Sequence, residues 1–206
     1  ETQTVEDHQA TYNVDIKIPV FSFGDAPAEK LNAVFQKFAS DQMEQFKADV
    51  AAIPSDMPAN GTTSFLSIDF SVTYQENQIV SVLFTTQHYM AGAAHPNLLA
   101  SSIMYDLDQE KVIELPELFK ADVDVYSLFA DYCTKELTEQ DIPLFSKITA
   151  DPNIFLAWTI SATSLDLVFS AGDVAPYAAG ILTVSVPFEL ILDQLSPSGP
   201  LDFLMN

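Results

Sequence analysis

The sequence predicts an α+β fold, a mainly antiparallel sheet packed by helices on one face and built from two closely associated halves, and three features carry that prediction. Apolar and polar residues alternate in several runs of strand length. Those runs come in groups joined by short turns, as in antiparallel sheets. Two longer stretches switch to three- and four-residue apolar spacing, and they interrupt the strands without the regular βα alternation of a parallel sheet.

Residues 1–10 are polar and acidic with no periodicity, and read as a tail. Tyr12, Val14, Ile16, Ile18 and Val20 then alternate with Asn13, Asp15, Lys17 and Pro19, a strand with one buried face whose proline marks an edge or an end. Asp25 and Pro27 suit a helix start, and Leu31, Val34, Phe35, Phe38, Met43 and Phe46 give residues 26–50 an apolar stripe. Pro54, Pro58 and Gly61 make 53–61 a connection.

Leu66, Ile68, Phe70, Val72 and Tyr74 form the next alternating run, and Glu76-Asn77 is a tight polar turn returning the chain along 79–89. A third run covers 98–106, and a polar turn leads into the short segment 112–115. Asp122 or Asp124 caps a helix through about Glu139, with Val125, Leu128, Phe129, Tyr132 and Leu137 inward. Residues 141–153 read as loop, and 154–160, 164–169 and 181–186 as three strands. Phe188, Ile191, Leu192 and Leu195 form a short helix, followed by a tail over 196–206. The chain is long and apolar enough, at 206 residues and 48% hydrophobic, for a single domain over 11–206 with halves of about 11–115 and 116–206.

There are 29 acidic residues against 8 basic ones, every base is a lysine, and the net charge is −21. Without arginine forks or a basic face, the composition argues against nucleic acid and anionic membrane surfaces as partners. A cationic partner, or plain solubility, remains. The lone Cys133 excludes an internal disulfide and, among Leu128, Phe129 and Tyr132, reads as a small buried thiol. No apolar run reaches the roughly 20 residues of a membrane span, and no signal peptide is present. These features fit a cytosolic chain or a mature exported one.

Polar aromatic, imidazole and special-backbone residues concentrate between the second and third runs, in HYMAGAAHPN over 88–97. Tyr89, Gly92, His95 and Asn97 are the candidates there, either as ligand-binding groups or as loop architecture. Tyr177, in the proline- and glycine-bearing loop 172–180, is the fifth. If both loops reach one end of the sheet, Tyr89, His95 and Tyr177 line one surface of aromatic and hydrogen-bonding groups; alternatively, Tyr177 and His95 join the two halves through buried hydrogen bonds. His88, His95 and Asp106 or Asp108 lack recognised metal spacing, so neither metal nor cofactor is expected. No GxSxG elbow or phosphate-cradling glycine loop occurs, and no catalytic residue is assigned.

The runs SVLFTTQHYMAGAAHP at 81–96, YDLDQEKVIELPELF at 105–119 and LVFSAGDVAPYAAGILTVSVPFEL at 167–190 resemble the RsiV-like extracytoplasmic domain-of-unknown-function family. That family includes the lysozyme-sensing domain of RsiV-type anti-sigma factors and is attached to some peptidoglycan deacetylases, whose chemistry lies in a separate domain. The resemblance implies an exported bacterial binding or sensing domain, with a lysozyme-like cationic protein or a cell-wall glycan as partner. An envelope hydrolase or deacetylase-associated enzyme is the alternative. The family's usual Gly-Gly-Ala-His is Gly92-Ala93-Ala94-His95 here, which leaves open whether the loop needs a second glycine.

Overall fold

A computed structural model describes residues 1–24, 26–53 and 62–205. The first element corrects the reading of the N-terminus: Thr2–His8 is a strand (β1), antiparallel to β2, Tyr12–Pro19. Its side chains are nearly all exposed, so apolar alternation could not reveal it. The ladder to β2 holds it instead.

Short strands β3 (Ser22–Phe23) and β4 (Ala26–Pro27) pair with each other, so helix α1 spans Glu29–Ala51 and starts three residues later than its apolar stripe implied. The expected cap Asp25 and the connection with Pro54, Pro58 and Gly61 lie outside the described residues. Ala28, at the cap position, has no side chain able to bond the first turn. Asn32 fastens the helix start instead, accepting from the Phe21 N–H at 2.8 Å and donating to the Phe21 carbonyl at 2.9 Å.

Strand β5 (Ser64–Glu76) runs parallel to β2, a pairing that a helical crossover such as α1 makes feasible. The loop Asn77-Gln78, with φ of 50° and 61°, turns the chain tightly into β6 (Ile79–Tyr89). β7 (Asn97–Asp106) and β8 (Lys111–Val112) complete a six-stranded sheet in the order β1-β2-β5-β6-β7-β8. A second sheet has the order β11-β10-β9, from β9 (Ala157–Ile160), β10 (Ser164–Phe169) and β11 (Leu182–Pro187), all antiparallel. With the second helix α2 (Val125–Glu139), this is the α+β class expected.

Contacts divide the chain into two compact units, Glu1–Phe70 with Phe84–Leu99, and Ser71–Leu83 with Ala100–Asn206. The division passes through β5, β6 and β7, long strands that each contribute residues to both units. In the first unit, Phe35 lies 5.8 Å from Phe21 and 6.0 Å from Phe84, Phe38 packs 4.3 Å from Phe84, and Tyr12 meets the edge of Phe46. The stripe of α1 is therefore core.

The second unit is built on α2 and the three-stranded sheet. Asp124 caps α2 by accepting from the Ser127 N–H at 3.2 Å, and Phe129 packs against Phe119 and Phe155. Asp151 and Pro152 start a 3-10 turn over Pro152–Ile154, which delays β9 to Ala157. The expected helix after β11 is two 3-10 turns, Phe188–Leu190 and Leu192–Gln194, held to residues 118–120 by backbone bonds. The expected C-terminal tail is also corrected, since Leu201 is buried and Phe203 stacks on Tyr74 at 6.2 Å.

Candidate functional site

In the first unit, β6 and β7 place Tyr89, Gly92, His95 and Asn97 on one loop. Its base is fixed by Ser64, a buried residue at the start of β5, whose hydroxyl accepts from the Ala91 N–H at 2.9 Å. The Ala93 N–H bonds the Met90 carbonyl at 2.9 Å, and Gly92 carries the turn with φ of 94°. Ala93 is absent from the residues with positive φ, so this loop needs a single glycine and the alanine in the second position costs no strain.

The Tyr89 ring stacks on Phe65 at 5.6 Å, and its hydroxyl donates to the Ala93 carbonyl at 3.3 Å. A carbonyl only accepts, so the Thr62 hydroxyl, also 3.3 Å from the Tyr89 oxygen, is the donor of the second bond. His95 is exposed, and its Nδ1–H donates to the Pro96 carbonyl at 2.9 Å. A carbonyl only accepts, so Nδ1 carries the hydrogen of that bond. Asn97 is exposed at the first position of β7. The arrangement offers hydrogen-bonding groups beside a stacked aromatic pair.

Tyr177 belongs to the second unit, where it opens a 3-10 turn, Tyr177–Ala179, closed by Gly180 at φ of 71°. It is 36% exposed, and His95, in the first unit, is exposed as well.

The other residues weighed from the sequence have local partners. His88 sits 3.2 Å from the Met90 sulfur with Phe46 edge-on at 5.5 Å, while His8 pairs with Asp15 at 2.9 Å. Asp106, buried at the end of β7, accepts from the N–H groups of Asp108 and Gln109 at 2.9 and 2.8 Å and so shapes the β7–β8 turn. Among the described residues no three His, Cys, Asp or Glu side chains cluster closely enough to share a metal. Cys133 is fully buried in α2, and burial, with a smaller push from Glu136, raises its thiol to about 12. At neutral pH it is a protonated packing residue.

Two polar arrangements escaped the sequence reading. One is a set of serines in the second unit: Ser81 on β6 accepts from the Ile160 N–H at 3.2 Å and from the Thr73 hydroxyl at 2.9 Å, and Ser102 on β7 accepts from the Trp158 N–H at 2.9 Å. A serine within the apolar run IVSV was the available signal. The other is the ion pair of Asp7 on β1 with Lys47 on α1, joined by Tyr12 and Gln9. The second unit also carries an open depression of about 440 Å³ lined by Ser127, Ala130, Asp131, Lys147 and Ile148, across which Lys147 pairs with Asp131 at 2.8 Å.

These features define a non-repetitive α+β protein. Residues 5–98 match the family model described as deacetylase PdaC, and residues 116–189 match one described as a protein of unknown function, DUF3298. Over 95% of its length the chain is 22% identical to the peptidoglycan-N-acetylmuramic acid deacetylase PdaC of Bacillus subtilis, and it spans only 41% of that relative. Two crystal structures of DUF3298 proteins share the fold. One, from Bacteroides fragilis, has a TM-score of 0.65 at 14% identity and covers all of this chain and 97% of the other. The second, from Pseudomonas aeruginosa, has a TM-score of 0.62 at 13% identity, covering 96% and 94%.

Proposed function

We propose that this chain is a non-catalytic, extracytoplasmic binding or sensing domain of a bacterial envelope protein, and that its partner is a cationic protein of the lysozyme type. The observation that carries the reading is the charge distribution. Lys17, Lys37, Lys47, Lys111, Lys135 and Lys147 each pair with a carboxylate and Lys120 bonds the Asp193 carbonyl, while 29 acids stand against 8 bases, so the net charge of −21 leaves a strongly anionic protein. Such a surface steers a basic protein toward itself, the more so at low ionic strength. The likeness to a peptidoglycan deacetylase supports a place at the cell wall, and the resemblance to RsiV-type domains supports lysozyme as the first partner to try.

Among the described residues no helix is long and apolar enough to cross a membrane. The likeness to PdaC also favours a second reading, a deacetylase-associated role on peptidoglycan with a cell-wall glycan as ligand. Calorimetric titration with lysozyme, at low and at physiological salt, tests the first. A saturable heat that survives added salt with reduced affinity is expected. No saturable heat at either salt removes lysozyme as the partner, and deacetylation of peptidoglycan by this chain would establish the second reading in its place.

A further inference from the structure

The edge of β1 is built to accept another strand. Among the described residues β1 is the terminal strand of the six-stranded sheet, and its bonding pattern follows from its two ends. The Val20 N–H bonds the Glu1 carbonyl, and the Gln9 N–H bonds the Tyr12 carbonyl. With the register Gln3↔Ile18, Val5↔Ile16 and Asp7↔Val14 between them, every odd residue of β1 turns its backbone groups toward β2. Thr2, Thr4, Glu6 and His8 therefore present their N–H and C=O groups to the open side.

Edge strands in soluble proteins are ordinarily short, interrupted by proline or bulged. β1 has seven residues, no proline and an unbroken register to β2. Its charge selects the occupant. Glu6 stands directly opposite Asp15, a like-charge cross-strand pair, and among the described residues Asp15 pairs with the exposed His8. A basic residue on a third strand, beside Glu6, would relieve that repulsion. Lys17, the cation on the same face, already binds Asp69.

We propose that β1 is a strand-addition site for an extended, lysine- or arginine-bearing segment of a partner protein, with main-chain bonds at Thr2, Thr4, Glu6 and His8 supplying the register and Glu6 the preference for a basic side chain. The basic character of the occupant rests on the cationic-partner reading above, whereas the open ladder is independent of it.

The test titrates the full chain with a synthetic peptide alternating lysine and threonine, with its glutamate–threonine counterpart as control. Saturable binding of the lysine peptide, with slowed amide exchange at Thr2, Thr4, Glu6 and His8, is expected. Thr4→Pro deletes an outward N–H without removing a β1–β2 bond and should weaken binding about tenfold. Glu6→Lys, which also tests the site if the proline variant fails to fold, should invert the preference toward the glutamate peptide. Binding of neither peptide, equal binding of both, unchanged binding by Glu6→Lys, or protection elsewhere than β1 overturns the proposal. Because lysozyme is not used, failure here leaves the lysozyme reading to its own titration, and failure of that titration leaves this one standing.

Discussion

The edges of the two sheets are treated differently, and the difference separates structural polar residues from available ones. In the second unit the Ser161–Ser164 bond sets the ladder so that Trp158 and Ile160 turn their N–H groups away from β10, and Ser102 and Ser81 receive them. On the far side of that sheet, Tyr132 donates to the outward Ser185 carbonyl at 3.2 Å, and Pro187 occupies an outward position where no N–H is needed. β1, in the first unit, has only the exposed Thr2, Thr4, Glu6 and His8 along its outer side. A buried edge must have its backbone groups satisfied from within, whereas an exposed one can leave them to water or a partner.

The largest expected effect concerns the core under the capped sheet. Phe129 is fully buried between Phe119 and Phe155, so Phe129→Ala should cost about 3–5 kcal/mol in chemical denaturation. A cost near that of a surface change would mean that α2 does not organise this unit.

The contrast between the edges is tested next. Ser81→Ala leaves the Ile160 N–H and the Thr73 hydroxyl without that acceptor at a fully buried position, and should cost about 1–3 kcal/mol. Thr4→Ala on β1 should stay within about 0.5 kcal/mol, because water already serves that edge. Equal costs for the two substitutions would erase the distinction drawn between the edges.

What the sequence revealed follows the same division. Strands with one buried face, such as β2 and β5, and the stripe of α1 were legible because burial imposes a period on apolar residues. β1 was not, since a ladder needs only backbone. The packed residues 196–205 were missed because 3-10 turns carry no long period, although Leu201 and Phe203 are apolar enough to have been noticed. For the candidate loop, the chain order placed Tyr89, Gly92, His95 and Asn97 together, but which groups Tyr89 and His95 bond depends on Thr62, Ala93 and Pro96 and is a matter of geometry.

Turn strain sharpens the comparison at a smaller scale. Gly92 meets its φ of 94° without a Cβ, so Gly92→Ala should destabilise by about 1–2 kcal/mol. Gln78 holds φ of 61° with a full side chain, so Gln78→Gly should stabilise by up to about 1 kcal/mol. Thermal melts that fail to move in opposite directions would show that the turn conformations are not limiting.

The subtlest effect lies at the join of β1 to α1 and is read by acid. The Gln9 amide, then the Lys47 ammonium and the Tyr12 hydroxyl hold the Asp7 carboxyl down at about 2, against a smaller opposing effect of burial. A carboxyl whose folded value lies below its unfolded one of about 4 favours the folded state once it is ionised in both, so its contribution is complete above that pH. As pH falls from about 4 toward 2, the unfolded chain takes up the proton first and the contribution is lost. Asp7→Asn removes the titrating group but leaves the strand intact. The melting difference between parent and variant should therefore be constant above about pH 5, shrink between 4 and 2, and stay small below. The other carboxylates titrate in both proteins and largely cancel. A difference that persists undiminished at pH 2 would mean that the Asp7 charge does not hold β1 to the helix, and that the β1–β2 ladder alone keeps the edge strand in place.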